Sequence, residues 1–185
     1  MAPRMGMALV AVQLMLLALA AAAQAQSPST GCVAATVVPT SAGMRPAASA
    51  AVLCLVNAQR AAHGLAAVTQ SPLLTKAATA HSVDMVRRGY FSHVTPNGVD
   101  QRGRVARTGY LRGCRRPALG ETIAWGTGDY GSPAELVNDL MASPPHRAII
   151  LDGRYREAGV GLALGAPMPD MGDFGSTLSL NFGRR

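Results

Sequence analysis

Residues 7–23 form an apolar run broken only by Gln13, and this run decides how much of the chain has to fold. Arg4 supplies a positive charge ahead of it. Behind it, Ala23-Gln24-Ala25 offers the small-x-small pattern at which secretory signals are cut. A membrane-spanning helix needs about 20 apolar residues. This stretch is shorter, rich in alanine, and followed at once by small polar residues. The reading is therefore a signal peptide over residues 1–25, with cleavage after Ala25 and Ala23 as the second choice, rather than an anchor. No later segment is apolar enough over sufficient length to span a bilayer. About 160 residues remain, one domain's worth and enough to bury a core. They are expected to work outside the cytoplasm, secreted or held at the cell envelope, as a monomer.

Cysteine usage fits that compartment. Cys32, Cys54 and Cys114 allow one bridge and one leftover thiol. Cys54 falls within an apolar helical pattern and Cys32 in the irregular segment before it, so Cys32–Cys54 is the expected pairing. A Cys54–Cys114 bridge and a free surface thiol both stay open. The net charge is +7, and six arginines (Arg102, Arg104, Arg107, Arg112, Arg115, Arg116) lie between Asp100 and Glu121 with no acid among them. The patch reads as a solvated basic surface loop that could attract anionic wall polymers or lipid headgroups. Nucleic acid is not an expected partner, because no aromatics alternate with the arginines to stack bases.

Residues 26–46 are rich in Ser, Thr, Pro and Gly and read as a linker or N-terminal arm, leaving 47–185 as the domain. Ala48, Val52, Leu55, Val56 and Ala62 recur at helical spacing, with Gly64 as a stop. Ser71-Pro72 opens a second helix whose buried face is Leu74, Ala77, Ala78, His81 and Met85, ending at Arg87-Arg88-Gly89. A short helix is expected over 100–108. Residues 121–125 alternate as a strand. Ser132-Pro133-Ala134-Glu135 reads as a capping box, and Ser143-Pro144-Pro145 stops the helix it starts. Residues 158–164 and 177–182 read as strands. Helices first and strands late point to an α+β sandwich, not a parallel doubly wound sheet.

With four histidines and ten acids, candidate polar groups are few. His93 follows a helix end, Glu121 opens a strand, and His146 follows the Pro-Pro break; sites are assembled at such boundaries. Two imidazoles and a carboxylate suit a divalent cation such as Zn²⁺ or Mg²⁺, with His93 and His146 as ligands. They equally suit acid–base pairing. No seryl or cysteinyl nucleophile stands out, so no catalytic residue is assigned. His81 lies on an apolar helix stripe and reads as a buried, hydrogen-bonded core histidine.

An ordered series of segments then gives the chain a likeness. Leu55-Val56-Asn57-Ala58-Gln59-Arg60, Ala80-His81-Ser82-Val83-Asp84-Met85, Gly89-Tyr90-Phe91-Ser92-His93, Gly120-Glu121-Thr122-Ile123-Ala124, Ser143-Pro144-Pro145-His146-Arg147 and Tyr155-Arg156-Glu157-Ala158-Gly159-Val160-Gly161 appear in turn. Together they resemble the CAP superfamily, also called the SCP domain, in its compact bacterial branch. The resemblance implies an α-β-α sandwich with a central antiparallel sheet between helical layers. It also implies a cleft lined by His93, Glu121 and His146. A second family acid would fall near Ser143, which is not an acid; Asp139 lies one helical turn earlier. Thr122, Leu140, Pro145 and Asn181 depart from the family's usual Asn, Trp, Gly and Asp. The function expected on this basis is non-enzymatic recognition of a lipid, a cell-wall component or a protein. The alternative is a metal- or histidine-assisted hydrolase.

Overall fold

The structure, a computed structural model, describes residues 31–168 and 174–185. The expected signal peptide and the first residues of the arm lie outside the described residues.

Helix α1 (Arg45–Ala62) starts on a proline and turns Ala48, Val52, Leu55 and Val56 inward. After the two-residue strand β1 (Thr69–Gln70), Pro72 opens α2 (Pro72–Arg88). Its buried face contains all five residues expected from the helical period, plus Ser82. Gly89 ends it in the left-handed region at φ 63°, where its N–H donates to Met85 O. Asp100 caps α3 (Gln101–Arg107) by accepting from Gly103 N at 2.8 Å. Strand β2 (Ala118–Thr127) starts three residues before the expected position. Ser132 accepts from Glu135 N to begin α4 (Pro133–Ala142), while its own N–H goes to Asp129 O, so half of the capping box forms. Then come α5 (Pro144–Ile150), β3 (Glu157–Leu164) and β4 (Gly175–Arg184).

The strands lie in the order β1-β3-β4-β2. Pairings β3–β4 and β4–β2 are antiparallel; the short edge strand β1 runs parallel to β3. Two residues carry no readable period, which is why β1 escapes a sequence reading. The fold is thus α+β, with the sheet antiparallel except at that edge. Strand parity divides the two faces. Leu178, Leu180 and Phe182 of β4 join Val52, Leu55 and Val56 of α1 and Leu136, Val137 and Leu140 of α4 in the main core. The opposite face of β4 carries Thr177, Ser179 and Asn181, all fully buried. On that side Leu74, Ala77, Val105 and Tyr110 form a smaller cluster under α2 and α3.

Two ties hold the periphery. Fully buried Arg60 donates to Ala66 O at 3.0 Å, Ile150 O at 2.7 Å and Asp152 O at 3.0 Å, joining the end of α1 to the turn before β3. Cys32 and Cys54 are disulfide-bonded, as expected, and Cys114 is free and half-buried. The bridge, buried Ala35 and a hydrogen bond from Ala134 N to Ala35 O at 2.8 Å bring the arm onto α1 and α4. Closing a loop of this length in the unfolded chain stabilises the fold by about 3 kcal/mol. The Cys32→Ala, Cys54→Ala chain is therefore expected to lose about that much in urea unfolding. A loss below about 1 kcal/mol would show that packing alone holds the arm.

Candidate functional site

Glu121 lies on β2, the strand at the free edge of the sheet, and by parity it faces the α2–α3 side, opposite Asn181 of β4. Its side chain is 3% exposed. A carboxylate buried this deeply is stable only if its oxygens are satisfied. Both are. Arg104 on α3 donates from Nη2 to Oε1 at 2.6 Å, and His93 meets Oε2 through Nδ1 at 2.8 Å. Arg104 is locked in turn, with Nη1 donating to His93 O at 2.8 Å and Val99 O at 3.0 Å. Gln101, at the start of α3, donates to Gly120 O at 2.6 Å and so fixes the helix against β2 beside the carboxylate.

Burial pushes the Glu121 carboxyl pKa up, but the His93 hydrogen bond and the Arg104 charge outweigh it and hold the group below its ordinary value. It is an anion at neutral pH. That charge orients His93: the carboxylate accepts from Nδ1–H, and Nε2 is the ring's other polar atom. The His93 side chain is half exposed, so this nitrogen is open to a ligand. His146 stands at the start of α5. Burial, and then positive charge on the neighbouring His93, lower its pKa, so it is neutral at pH 7. The hollow beside the pair measures about 360 Å³ and is lined by His93, Asp100, Gln101, Arg102 and Glu121, among others; His146 is not in its lining.

The structure thus joins His93 to Glu121 directly and sets His146 within electrostatic reach of His93. Asp139 is exposed, and no hydrogen bond or ion pair joins its side chain to His93 or Glu121. Arg104 is the site residue that sequence reasoning missed. Six arginines in a row without an acid read as solvated surface, yet this one is 8% exposed and serves as the counter-ion of Glu121. The only signal was its position four residues after a capping Asp100, which puts it on the inner side of a two-turn helix. His81 also departs from expectation. It is buried as foreseen, at 1% exposure, but neither ring nitrogen has a hydrogen-bond partner.

The donor set limits which cation would fit. Mg²⁺ demands oxygen ligands; of the two carboxylates lining the hollow, Glu121 is filled by Arg104 and His93 and Asp100 caps α3 through Oδ1, so the site does not suit it. Zn²⁺ accepts imidazole nitrogen, but its protein sites use three or four ligands. Among the described residues, no three His, Cys, Asp or Glu side chains come together as a metal centre. Two imidazoles suit a weak Zn²⁺ contact and no more.

The sequence model of the cysteine-rich secretory protein family, CAP, matches residues 53–168, well over half of the chain. The chain belongs to the CAP family. This CAP chain is similar in structure to an extracellular SCP-domain protein of Bacillus anthracis, with a TM-score of 0.58 and 25% identity over 72% of the chain and 39% of the other. An outer surface protein of Borrelia burgdorferi also has a TM-score of 0.58, with 16% identity and coverage of 72% and 90%. A cysteine-rich secretory protein of Staphylococcus aureus has a TM-score of 0.56, with 18% identity and coverage of 76% and 39%. The last two likenesses concern the fold alone. The CAP chain spans about two fifths of the length of the Bacillus and Staphylococcus structures. A search of curated protein sequences gives no match. The named neighbours are extracellular or surface proteins, and the Cys32–Cys54 bridge agrees with such a setting. No helix among the described residues is long and apolar enough to cross a membrane.

Proposed function

We propose that this CAP domain is an exported, non-enzymatic recognition module. Its cleft, built around His93, Glu121 and His146, receives a lipid, a cell-wall component or a segment of another protein. The observation that carries this reading is the state of Glu121. A carboxylate with only 3% of its side chain exposed and bound through both oxygens at 2.6 and 2.8 Å is poorly placed to take a proton from water. It acts as an internal anion that orients His93, and His93 Nε2 is the group a ligand meets.

Hydrolysis is the weaker reading. A His–carboxylate pair is half of a nucleophilic machine, but a nucleophile must hydrogen-bond to the base. Among the described residues nothing hydrogen-bonds His93 Nε2, and the neighbouring Ser92 hydroxyl accepts from Val94 N. Should Zn²⁺ bind, His93 Nε2 and His146 would hold it and the ion would supply a Lewis-acidic contact for a ligand oxygen. Export itself belongs to this proposal, on the strength of residues 1–25 and the disulfide.

The test uses the chain from residue 26 onward, with soluble peptidoglycan fragments and anionic phospholipid vesicles as probes. Saturable binding is expected with at least one of them, weakened about tenfold or more in the His93→Ala, His146→Ala double variant. Zn²⁺ calorimetry should show weak heat that the same variant abolishes. Peptide, ester or glycan turnover that disappears in Glu121→Gln would replace recognition with hydrolysis.

A further inference from the structure

A second hollow, separate from the His93–Glu121 pair, opens between α2 and α3 with a volume of about 360 Å³. That falls within the range of small-molecule sites, about 300–1,000 Å³. His81 and Arg104 line its buried end, Ala77, Ala80 and Val99 give it apolar wall, and Lys76 and Arg107 are exposed cations in its lining.

The polar groups here are unevenly satisfied. Asp84, the one acid in the lining, is occupied: Tyr90 Oη donates to it at 2.6 Å and Arg88 pairs with it at 3.5 Å. Arg88 also donates to Asn97 Oδ1 at 3.0 Å. By contrast, both ring nitrogens of His81 and Nε of Arg104 are buried with no partner, and the Ser92 backbone approaches His81 without reaching hydrogen-bond geometry. Leaving a buried polar group unpaired is costly. Lys76 and Arg107 form no ion pair with any described residue. Burial and the Arg104 charge lower the His81 pKa, so its ring is neutral and offers one N–H donor and one acceptor.

We infer that this α2–α3 hollow binds a small organic oxyanion, a carboxylate or phosphate monoester on a short apolar body. Its charged oxygens meet Lys76 and Arg107, the exposed cations of the lining. The apolar body covers Ala77, Ala80 and Val99 and packs toward the buried His81 ring, whose signals report its arrival. The inference goes beyond the proposed cleft, from which its lining shares neither His93, Glu121 nor His146.

Hexanoate, hexyl phosphate and phosphatidic acid vesicles are the probes, followed through the ring ¹⁵N signals of His63, His81, His93 and His146. Saturable movement of the His81 signals is expected, with binding about tenfold or more weaker in Lys76→Gln, Arg107→Gln. Both substituted side chains are exposed, so the fold is kept, and an undisturbed His81 signal in the unliganded variant verifies it. Saturation by the free hexyl compounds assigns the site to a soluble anion; saturation by vesicles alone assigns it to a lipid headgroup. The inference is overturned if the His81 signals stay still at millimolar probe, if only His93 and His146 move, or if the double variant binds as the native chain does.

Discussion

Replacing Arg104 with methionine is expected to cost about 3–5 kcal/mol of stability, because it strands the almost wholly buried Glu121 carboxylate without its counter-ion. Urea unfolding should also show that Glu121→Gln in the same chain restores part of the loss. The hydrogen bonds from Arg104 to His93 O and Val99 O are not restored, so recovery is incomplete, and a double-mutant cycle isolates the Arg104–Glu121 term. The dependence on pH gives a second signature. In the native fold the Glu121 pKa lies below its ordinary value of 4.5, so the stability it contributes is present above that value and fades as pH falls through the folded pKa. In Arg104→Met the carboxyl would be raised instead, and acid would relieve the variant by protonating it. The gap between native and variant should therefore narrow toward pH 4. A cost below about 1 kcal/mol at pH 7 would mean the pair is solvated like a surface salt bridge.

The second large effect is expected at Gly161, on the face of β3 toward α2. A Cβ there would lie 2.1 Å from the backbone of Ala78 and Thr79, and one at Gly159 would meet Leu74 and Thr75 equally closely. Those are backbone atoms of a helix, which cannot rotate aside as a side chain could. Strand and helix must part, and the hydrogen bond from Ser82 Oγ to Gly161 O at 2.9 Å goes with them. Gly161→Ala is expected to cost about 3 kcal/mol or more, at the upper end for overpacking. Gly153→Ala is the control: its nearest neighbour is a leucine methyl at 3.4 Å, an ordinary contact, and its effect should stay within about 0.5 kcal/mol. Equal melting of the two variants would show that α2 shifts freely on the sheet.

These sites also mark where a sequence stops being informative. The buried face of α2 was legible because Ser71-Pro72 and Gly89 punctuate it and its small and apolar residues keep helical period. The bridge between Cys32 and Cys54 was legible from the apolar context of one and the position of the other. The cleft trio could be named only through likeness to a family, since His93, Glu121 and His146 are too far apart in sequence for any local spacing to join them. Arg104 was hidden for a different reason. The sign of a charge is visible in sequence, but its partner is not, and an ion pair across 17 residues leaves no period behind. His81 shows the same limit: its stripe reveals burial, not the lack of a hydrogen-bond partner.

Strand β4 lies between β3 and β2, although it is made after both. A chain emerging from the ribosome therefore has no route to a joined sheet until residues 175–184 have appeared, because the earlier strands share no edge with β2. Helices can form meanwhile, but the layer on which they rest cannot. Were the chain exported as proposed, through a narrow translocation channel before folding, this order of synthesis would postpone closure to the final moments and keep the thread pliable during passage.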